Sequence, residues 1–410
     1  MNQINTDILI IGGGSAGVAA AIGASSEGFS VTLIDAYPYL GGNATASEVG
    51  TICGLYHQDT AQDSTYLVDG FAREFSEKLR TLSSSAPIRN REGLHYLPYS
   101  IERYKELALE YLRKHNVKIL LNTLIVDIDV SDGLAKSCVL NQNEKAFVVN
   151  FGSIIDCSGQ STISKLANLP MIKSDNFQAA ALVFTMNKVH TDNISMLNLI
   201  IIKHLKQASL NGEIDSNLEK VFLVPGSLKK GFVSFKVAIP LEVTLTKNNL
   251  SALRKKGVEM IESIVQFFVS DIEIFEDAAL DHIADDVGIR TNYRSIGKYI
   301  LTEADVLSSR KFDNAIANCS WPIEEWGNSS KVKMDFLPNK EFYQIPVECL
   351  ISAYIENLFL GGKNISATDR AIGSARVMGI CFQTGFAAGK LASKFSKSHS
   401  TSNNLVTEYF

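Results

Sequence analysis

The sequence predicts an α/β protein: a Rossmann-like dinucleotide-binding domain interrupted by an inserted domain on a mixed or antiparallel sheet. Three stretches carry that expectation. The apolar run Asp7-Ile8-Leu9-Ile10-Ile11 leads into Gly12-Gly13-Gly14-Ser15-Ala16-Gly17 and an alanine-rich segment. Residues 178–280 hold apolar runs that alternate or cluster, separated by two helical stretches. Near the C-terminus the first pattern returns, with Asn357-Leu358-Phe359-Leu360, the pair Gly361-Gly362 and a long helical segment.

The first stretch reads as one βαβ unit. Residues 7–11 form a buried parallel strand, 15–27 the helix after it, and Val31-Thr32-Leu33-Ile34 a second strand ending on Asp35. The GxGxxG spacing falls between strand and helix, where a pyrophosphate needs it. Gly12 allows the tight turn, Gly14 lets backbone approach the phosphates, and Gly17 lets helix and strand pack closely. The helix start, with Ser15 and Ala16, then offers unpaired N–H groups and a positive dipole. Asp35 stands where a carboxylate accepts a hydrogen bond from the adenosine ribose.

Farther along, residues 37–56 read as a Gly/Ala/Thr-rich loop. Leu67, Phe71, Phe75 and Leu79 recur at helical spacing, predicting a helix over 65–82. Ser100 is a candidate cap for a helix over 101–115, which feeds a strand over 117–121. Strands follow over 123–130, 135–140 and 146–150, the last two joined by a turn at 141–143, and a separate buried strand over 153–157. Gly159 opens a short helix to Ala167. In the next region, strands are expected over 179–186, 220–224, 232–239 and 272–280, with helices over 196–209 and 250–269 on one face. Residues 322–341 read as irregular and polar, 371–393 as one helix, and 397–404 as a frayed tail. The predicted division is 1–170 and 346–396 for the nucleotide domain, 171–345 for the substrate or cap domain, and 397–410 for a tail.

Bulk properties exclude several classes. The chain has 410 residues, 46% hydrophobic and 20% charged, with a net charge of −5, which suits an ordinary globular protein. Lys and Arg are scattered, so no nucleic-acid surface is expected. The six cysteines show neither CxxC nor metal-ligand spacing, which predicts reduced thiols, no bound metal and a cytoplasmic setting. The first residues lack a basic stretch followed by an apolar one, so no secretion signal is expected. No apolar run reaches the roughly twenty residues of a membrane span.

Several further motifs fall in order along the chain: Gly41-Gly42-Asn43-Ala44-Thr45, Ile154-Ile155-Asp156-Cys157-Ser158-Gly159, a G-x-R-x-x-x-R stretch from Gly288 to Arg294, and Gly361-Gly362-Lys363-Asn364 followed by Gly373-Ser374-Ala375-Arg376-Val377-Met378. Together they resemble the FAD-dependent oxidoreductase family of the glutathione-reductase-like fold, relatives of the fumarate-reductase-type flavoproteins. The resemblance implies FAD as cofactor, with Gly12, Gly14, Ser15, Ala16 and Gly17 at the pyrophosphate and Asp35 at the ribose. It implies Gly42, Asn43 and Ala44 running toward the flavin, Ile125 touching adenine by backbone, and Gly159 in a second glycine turn. Gly362 and Asn364 would approach the ribityl chain, although many relatives have Gly-Asp where this chain has Gly362-Lys363-Asn364. The helix entered through Gly373 and Ser374, with Val377 beyond them, would aim its N-terminus at the flavin N1/O2 edge, where reduced flavin carries negative charge.

The sequence has no second GxGxxG and no redox cysteine pair, which argues against a stable NAD(P)H domain and dithiol chemistry. Electrons would come from a small-molecule or peptide substrate, from an external reductase, or from NAD(P)H visiting the open flavin. His57 is a candidate proton acceptor or a structural loop histidine. Cys53 is a candidate flavin attachment or sulfenic-acid site, or an inert buried thiol. Arg290 either clamps a substrate carboxylate or pairs with Asp285, Asp286 or Glu303, and Arg376 poses the same choice. The leading expectation is hydride transfer from substrate to flavin N5, with reoxidation by oxygen or another acceptor. A flavin monooxygenase and a non-catalytic FAD-binding protein are the competing expectations.

Overall fold

The strand Gln3–Ile11 lies at the heart of the principal sheet. It runs parallel to Val31–Ile34 on one side and to Lys145–Asp156 on the other. Val31–Ile34 pairs in parallel with Lys118–Leu120, and Lys145–Asp156 with Leu358–Leu360. In the computed structural model, residues 3–59, 64–174, 177–327, 332–338 and 341–400 are described. Thr123–Ser131, Leu134–Gln142 and the first part of Lys145–Asp156 form an antiparallel meander on the same sheet.

The two strands expected over 146–150 and 153–157 are therefore one. Its burial alternates through the meander and then becomes continuous, because the later residues are covered on both faces. The turn before it centres on Asn143 and Glu144, both with positive φ, rather than on 141–143.

The helix Ser15–Ser25 is buried along almost its whole length. It packs on the C-terminal helix Met378–Ser400 at a distance only small residues allow. A Cβ on Gly385 would stand 2.1 Å from the Ala16 carbonyl oxygen, and one on Gly389 2.1 Å from that of Ala20. The alanine-rich composition of the first helix thus reflects close helix–helix contact. Ser100 caps Ile101–Lys114, its hydroxyl accepting from the Arg103 N–H. The helix expected over 65–82 begins only at Gly70, with Asp69 as its cap residue.

A second sheet, in the order Val221–Leu223, Val233–Ala238, Ala181–Asn187, Ala279–Ile283, is antiparallel throughout. The helices Ile194–Leu210 and Lys247–Asp271 contribute to its own core, which includes Phe184, Phe235, Ile261, Phe268 and Phe275. The strand expected over 272–280 is instead a 3₁₀ turn, Glu273–Phe275, followed by Ala279–Ile283. Ile272 and Phe275 are both buried, a spacing of three that closes a helical turn and cannot share a strand face.

Two further expectations need correction. The segment 322–341, expected to be irregular, contains the hairpin Ile323–Trp326 with Val332–Asp335. Its polar side chains pair rather than solvate: Arg370 meets Asp335, Glu325 and Glu303. The helix expected over 371–393 is broken into Asp369–Ala375 and Met378–Ser400 at Arg376 and Val377. Residues 397–400 belong to the second of these helices, and 401–410 lie outside the described residues.

The second sheet meets the loop before Thr51 through a polar contact. His282 Nε2 lies 3.0 Å from Glu48, and its Nδ1 lies 2.8 Å from Asp281. Hydrogen bonding to Glu48 and then Asp281 outweighs burial and raises the imidazole to about 9. A folded-state value above the unfolded one makes this contact stabilising below about pH 6.5, and the benefit fades as pH rises through 9. The ring is nearly half exposed, so the expected gain is about 1 kcal/mol or less. Urea midpoints of wild type and His282→Gln should therefore differ at pH 6 and converge by pH 10. A constant difference would contradict the pairing.

Candidate flavin and substrate site

The register of the principal sheet fixes what comes together. Ile11 is opposite Ile34 and Asp156, and Asp156 is opposite Leu360. Four strands thus end at one edge, the carboxyl edge where open α/β sheets bind ligands. The loops that leave it hold Gly12 to Gly17, Asp35, Cys157 to Gly159 and Gly361 to Asn364.

The three motif glycines have different surroundings. Gly12 has φ +97°, and a Cβ there would meet the Cys157 carbonyl oxygen at 2.6 Å. A Cβ on Gly17 would lie 1.8 Å from the Gly12 carbonyl oxygen. Gly14 differs: a Cβ there would lie 3.8 Å from Gly42 Cα and 3.9 Å from the Gly41 carbonyl oxygen. Gly14 and the Gly41–Gly42 turn therefore face each other backbone to backbone, with room for a methyl on Gly14. Gly41 donates to the Gly13 carbonyl at 2.8 Å and ties the two turns together.

Asp35 is buried above the first turn and accepts from the N–H groups of Gly13 and Tyr37. Burial pushes its carboxyl up, and those two donors oppose the shift. Thr123 donates to the Asp35 carbonyl, which brings the start of the Thr123–Ser131 strand to the same end. Ile125 pairs with Leu140, and the register shifts between Ile125 and Asp127, loosening the backbone there. The Ser15 hydroxyl bonds to the Tyr104 hydroxyl at 2.8 Å, so its side chain is already engaged. Ala16 packs against Gly362, where a Cβ would approach it to 2.7 Å. Gly42 and Ala44 form a 3₁₀ turn, and Asn43 between them donates to the Ile289 carbonyl.

Asn364 takes a different role from the one expected. Its amide donates to Asp156 and lies 3.3 Å from the Ser158 hydroxyl, and its oxygen accepts from the Ser161 N–H. The side chain is a buried clamp on the second glycine turn, with Asp156 at its centre. Sequence reading missed Asp156, whose only outward signal is a carboxylate closing an apolar strand. Lys363 donates to Ile289, and its stem lies against Gly159.

Gly373 and Ser374 also differ from expectation. They lie inside the short helix Asp369–Ala375, with the Ser374 hydroxyl donating to the Trp321 carbonyl and bonding to Tyr343. The long helix starts after the break, beside Val377, whose side chain faces Gly54. A Cβ on Gly379 would lie 2.5 Å from the Gly54 carbonyl oxygen, so the end of the strand Thr51–Cys53, within the segment expected as loop, seats directly on this helix start.

Beyond that seat lies a group of charges from four elements. Lys236 comes from the second sheet, Arg290 from the loop after it, Glu324 and Trp326 from the hairpin, and Arg376 from the helix break. Lys236 Nζ is 4.7 Å from the Trp326 ring centre, and the Arg290 guanidinium is 4.3 Å from it. Phe222 meets Trp326 edge-on at 6.1 Å. Arg376 approaches Glu324 at 3.4 Å and Gln178 at 3.2 Å, and its Nε is buried without a partner. Arg290 donates to the Ala179 carbonyl, and none of Asp285, Asp286 and Glu303 is its ion-pair partner. Tyr39 and Tyr37 hold the first two of these, and Arg370 the third. Burial, then Arg290, presses Lys236 down to about 8. Burial also lowers Arg290, with Arg376 adding to the effect.

Cys53 senses the same charges, but burial raises its thiol to about 12, so it stays protonated and a poor nucleophile. His57 is placed elsewhere: its N–H donates to the Thr65 carbonyl, and its ring stands edge-on to Phe342 at 6.1 Å. All six cysteines are unpaired. Among the described residues no cluster could hold a metal ion, and no helix is long and apolar enough to cross a membrane.

Comparison with known proteins agrees with the geometry. The profile of the family described as FAD dependent oxidoreductase matches residues 7–408. No curated protein matches the chain. Among solved structures, a geranylgeranyl bacteriochlorophyll reductase-like protein from Thermoplasma acidophilum is 13% identical, with a TM-score of 0.52 over 98% of this chain and 80% of that one. A flavoprotein/dehydrogenase from Cytophaga hutchinsonii is 12% identical, with a TM-score of 0.49 over 96% and 79%. The p-nitrophenol 4-monooxygenase of Pseudomonas putida is 11% identical, with a TM-score of 0.45 over 97% and 79%. At these identities the likeness is one of fold.

Proposed function

We infer the reaction from one premise: the chain belongs to the FAD dependent oxidoreductase family. The protein acts as a dehydrogenase or oxidase that takes a hydride from its own substrate. When bound, FAD supplies a two-electron sink that accepts hydride at N5 and is reoxidised by oxygen or another acceptor. The observation that carries the reading is the side-chain-free surface formed by Gly12 to Gly14 and the Gly41–Gly42 turn, backbone against backbone at the carboxyl edge of the sheet.

Within this reading the N–H groups from Gly12 to Gly17 hold the pyrophosphate, and Asp35 holds the ribose. Gly42, Asn43 and Ala44 extend along the phosphates, the backbone of Ile125 meets adenine, and Gly159 and Gly362 close the far side. Val377 and the helix start beside it replace Gly373, Ser374 and Asn364 as the flavin-side contacts. Arg290 is kept as a substrate-orienting group and Cys53 as a neutral thiol beside it, whereas His57 is not kept. Residues 1–170 with 346–396 make the cofactor domain, and 171–345 the substrate domain.

The test is spectroscopic. Purified protein should be yellow, release its flavin on acid precipitation, and resist bleaching by NAD(P)H without oxygen. Colourless material that cannot be reconstituted would overturn the reading. Bleaching by NAD(P)H alone would replace it with a monooxygenase fed by external reductant.

A further inference from the structure

We propose that Lys236, Arg290 and Arg376 form an anion-recognition site beside the flavin and that the substrate is a small organic acid with a planar or apolar body. The proposal rests on the flavin-enzyme reading above and names the substrate class for that site. Among the described residues, Glu324 is the one carboxylate in ion-pair contact with these three cations, and it reaches Arg376. Like charges gathered out of water are unfavourable unless something neutralises them. Lys236 Nζ makes no hydrogen bond or ion pair among the described residues and rests only on aromatic faces. Arg376 Nε is buried with no acceptor. An incoming carboxylate neutralises this excess of positive charge.

The remaining walls define the rest of the ligand. Trp326 and Phe222 meet edge to face and carry both Lys236 and Trp326-stacked Arg290 on their surfaces. Aromatic walls with a few convergent polar groups suit a compact, partly apolar molecule. Ser234, on the same strand face as Lys236, lines a cavity of about 190 Å³ with Gly50 and Tyr99, so this face is not packed solid. The hairpin carrying Glu324 and Trp326 is fixed by close packing on the short helix, since a Cβ on Gly373 would touch the Glu324 carbonyl oxygen at 3.0 Å.

The experiment is a titration of the yellow protein with benzoate and phenylacetate, and with benzamide and inorganic phosphate as contrasts. Binding is read from the flavin visible band and from tryptophan fluorescence, with Trp326→Phe identifying the reporter. The two acids should saturate and benzamide should not. Lys236→Met and Arg290→Met should each weaken acid binding at least tenfold while retaining one flavin per chain. Acid binding should also weaken as pH rises past 8, where Lys236 loses its charge. Yellow protein indifferent to both acids would overturn the proposal and leave the flavin reading standing. Loss of flavin in both variants would overturn it too, assigning the cations to the cofactor. Phosphate competing as well as benzoate would overturn the organic-acid class. Colourless wild type would instead remove the flavin reading itself.

Discussion

Changing Gly14 to alanine leaves the chain folded and takes away its flavin: the Kd for FAD rises at least about a hundredfold, equivalent to about 2.8 kcal/mol. The backbone at Gly14 has φ −70° and ψ −174°, which any residue adopts without strain. A methyl group there makes only ordinary contacts with Gly41 and Gly42. As the residue before the first helical turn, alanine in place of glycine costs less than about 1 kcal/mol. The methyl adds a side chain to a surface that backbone alone otherwise forms, so the damage falls on phosphate approach. Gly17→Ala behaves oppositely. Its methyl would stand 1.8 Å from the Gly12 carbonyl oxygen, deep between helix and strand. The penalty exceeds the roughly 1–3 kcal/mol of ordinary overpacking, and the expected outcome is insoluble or unfolded protein. Isothermal titration with FAD and thermal melts of both variants check the contrast. A Gly14→Ala protein that binds FAD like wild type would place the pyrophosphate elsewhere.

Much of this architecture was legible because its signals are local. The glycine turn, its flanking strands and Asp35 lie within one short span, and burial on both sheet faces makes those strands continuously apolar. The strand ends at Asp156 and Leu360 could be read the same way, and register then brings their loops to one edge. The charged site was not legible. Cys53, Lys236, Arg290, Glu324, Trp326 and Arg376 come from distant parts of the chain, and no spacing rule links them. Arg290 was singled out, but the acids nearest in sequence were offered as its partners, and tyrosines and Arg370 hold those acids instead. The hairpin at 323–335 was hidden because Glu324, Glu325, Lys333 and Asp335 make it look solvated. The break at Arg376 and Val377 has no proline and no glycine at the two positions to announce it. It lies next to the close contact of Gly379 with Gly54, which is tertiary and leaves no local signal.

The two arginines of the G-x-R-x-x-x-R stretch should separate cleanly on mutation. Arg294→Met is expected to lose about 2–4 kcal/mol of stability, because the buried Ala367 and Asn292 carbonyls lose their donor. Arg294 is fully buried and bonds through every arm of its fork. Nε donates to the Ala367 carbonyl at 2.8 Å, one terminal nitrogen to the Asn292 carbonyl and Ser174, and the other to Asp369. Ala367 and Asp369 lie on the loop and the short helix that follow Gly361 to Asn364, and Ser174 follows the strand Met171–Ile172 that pairs with Arg294–Ser295, so Arg294 fastens the C-terminal strand exit to that strand pair. Methionine fills a similar volume but satisfies none of these acceptors, and lysine reaches too few of them to rescue the fold. Arg290 donates to one carbonyl and stacks on Trp326, so Arg290→Met should cost far less stability. Urea denaturation of the two methionine variants in parallel measures the difference. Equal losses would mean that Arg290 is a structural residue too, and the anion site would lose its central cation.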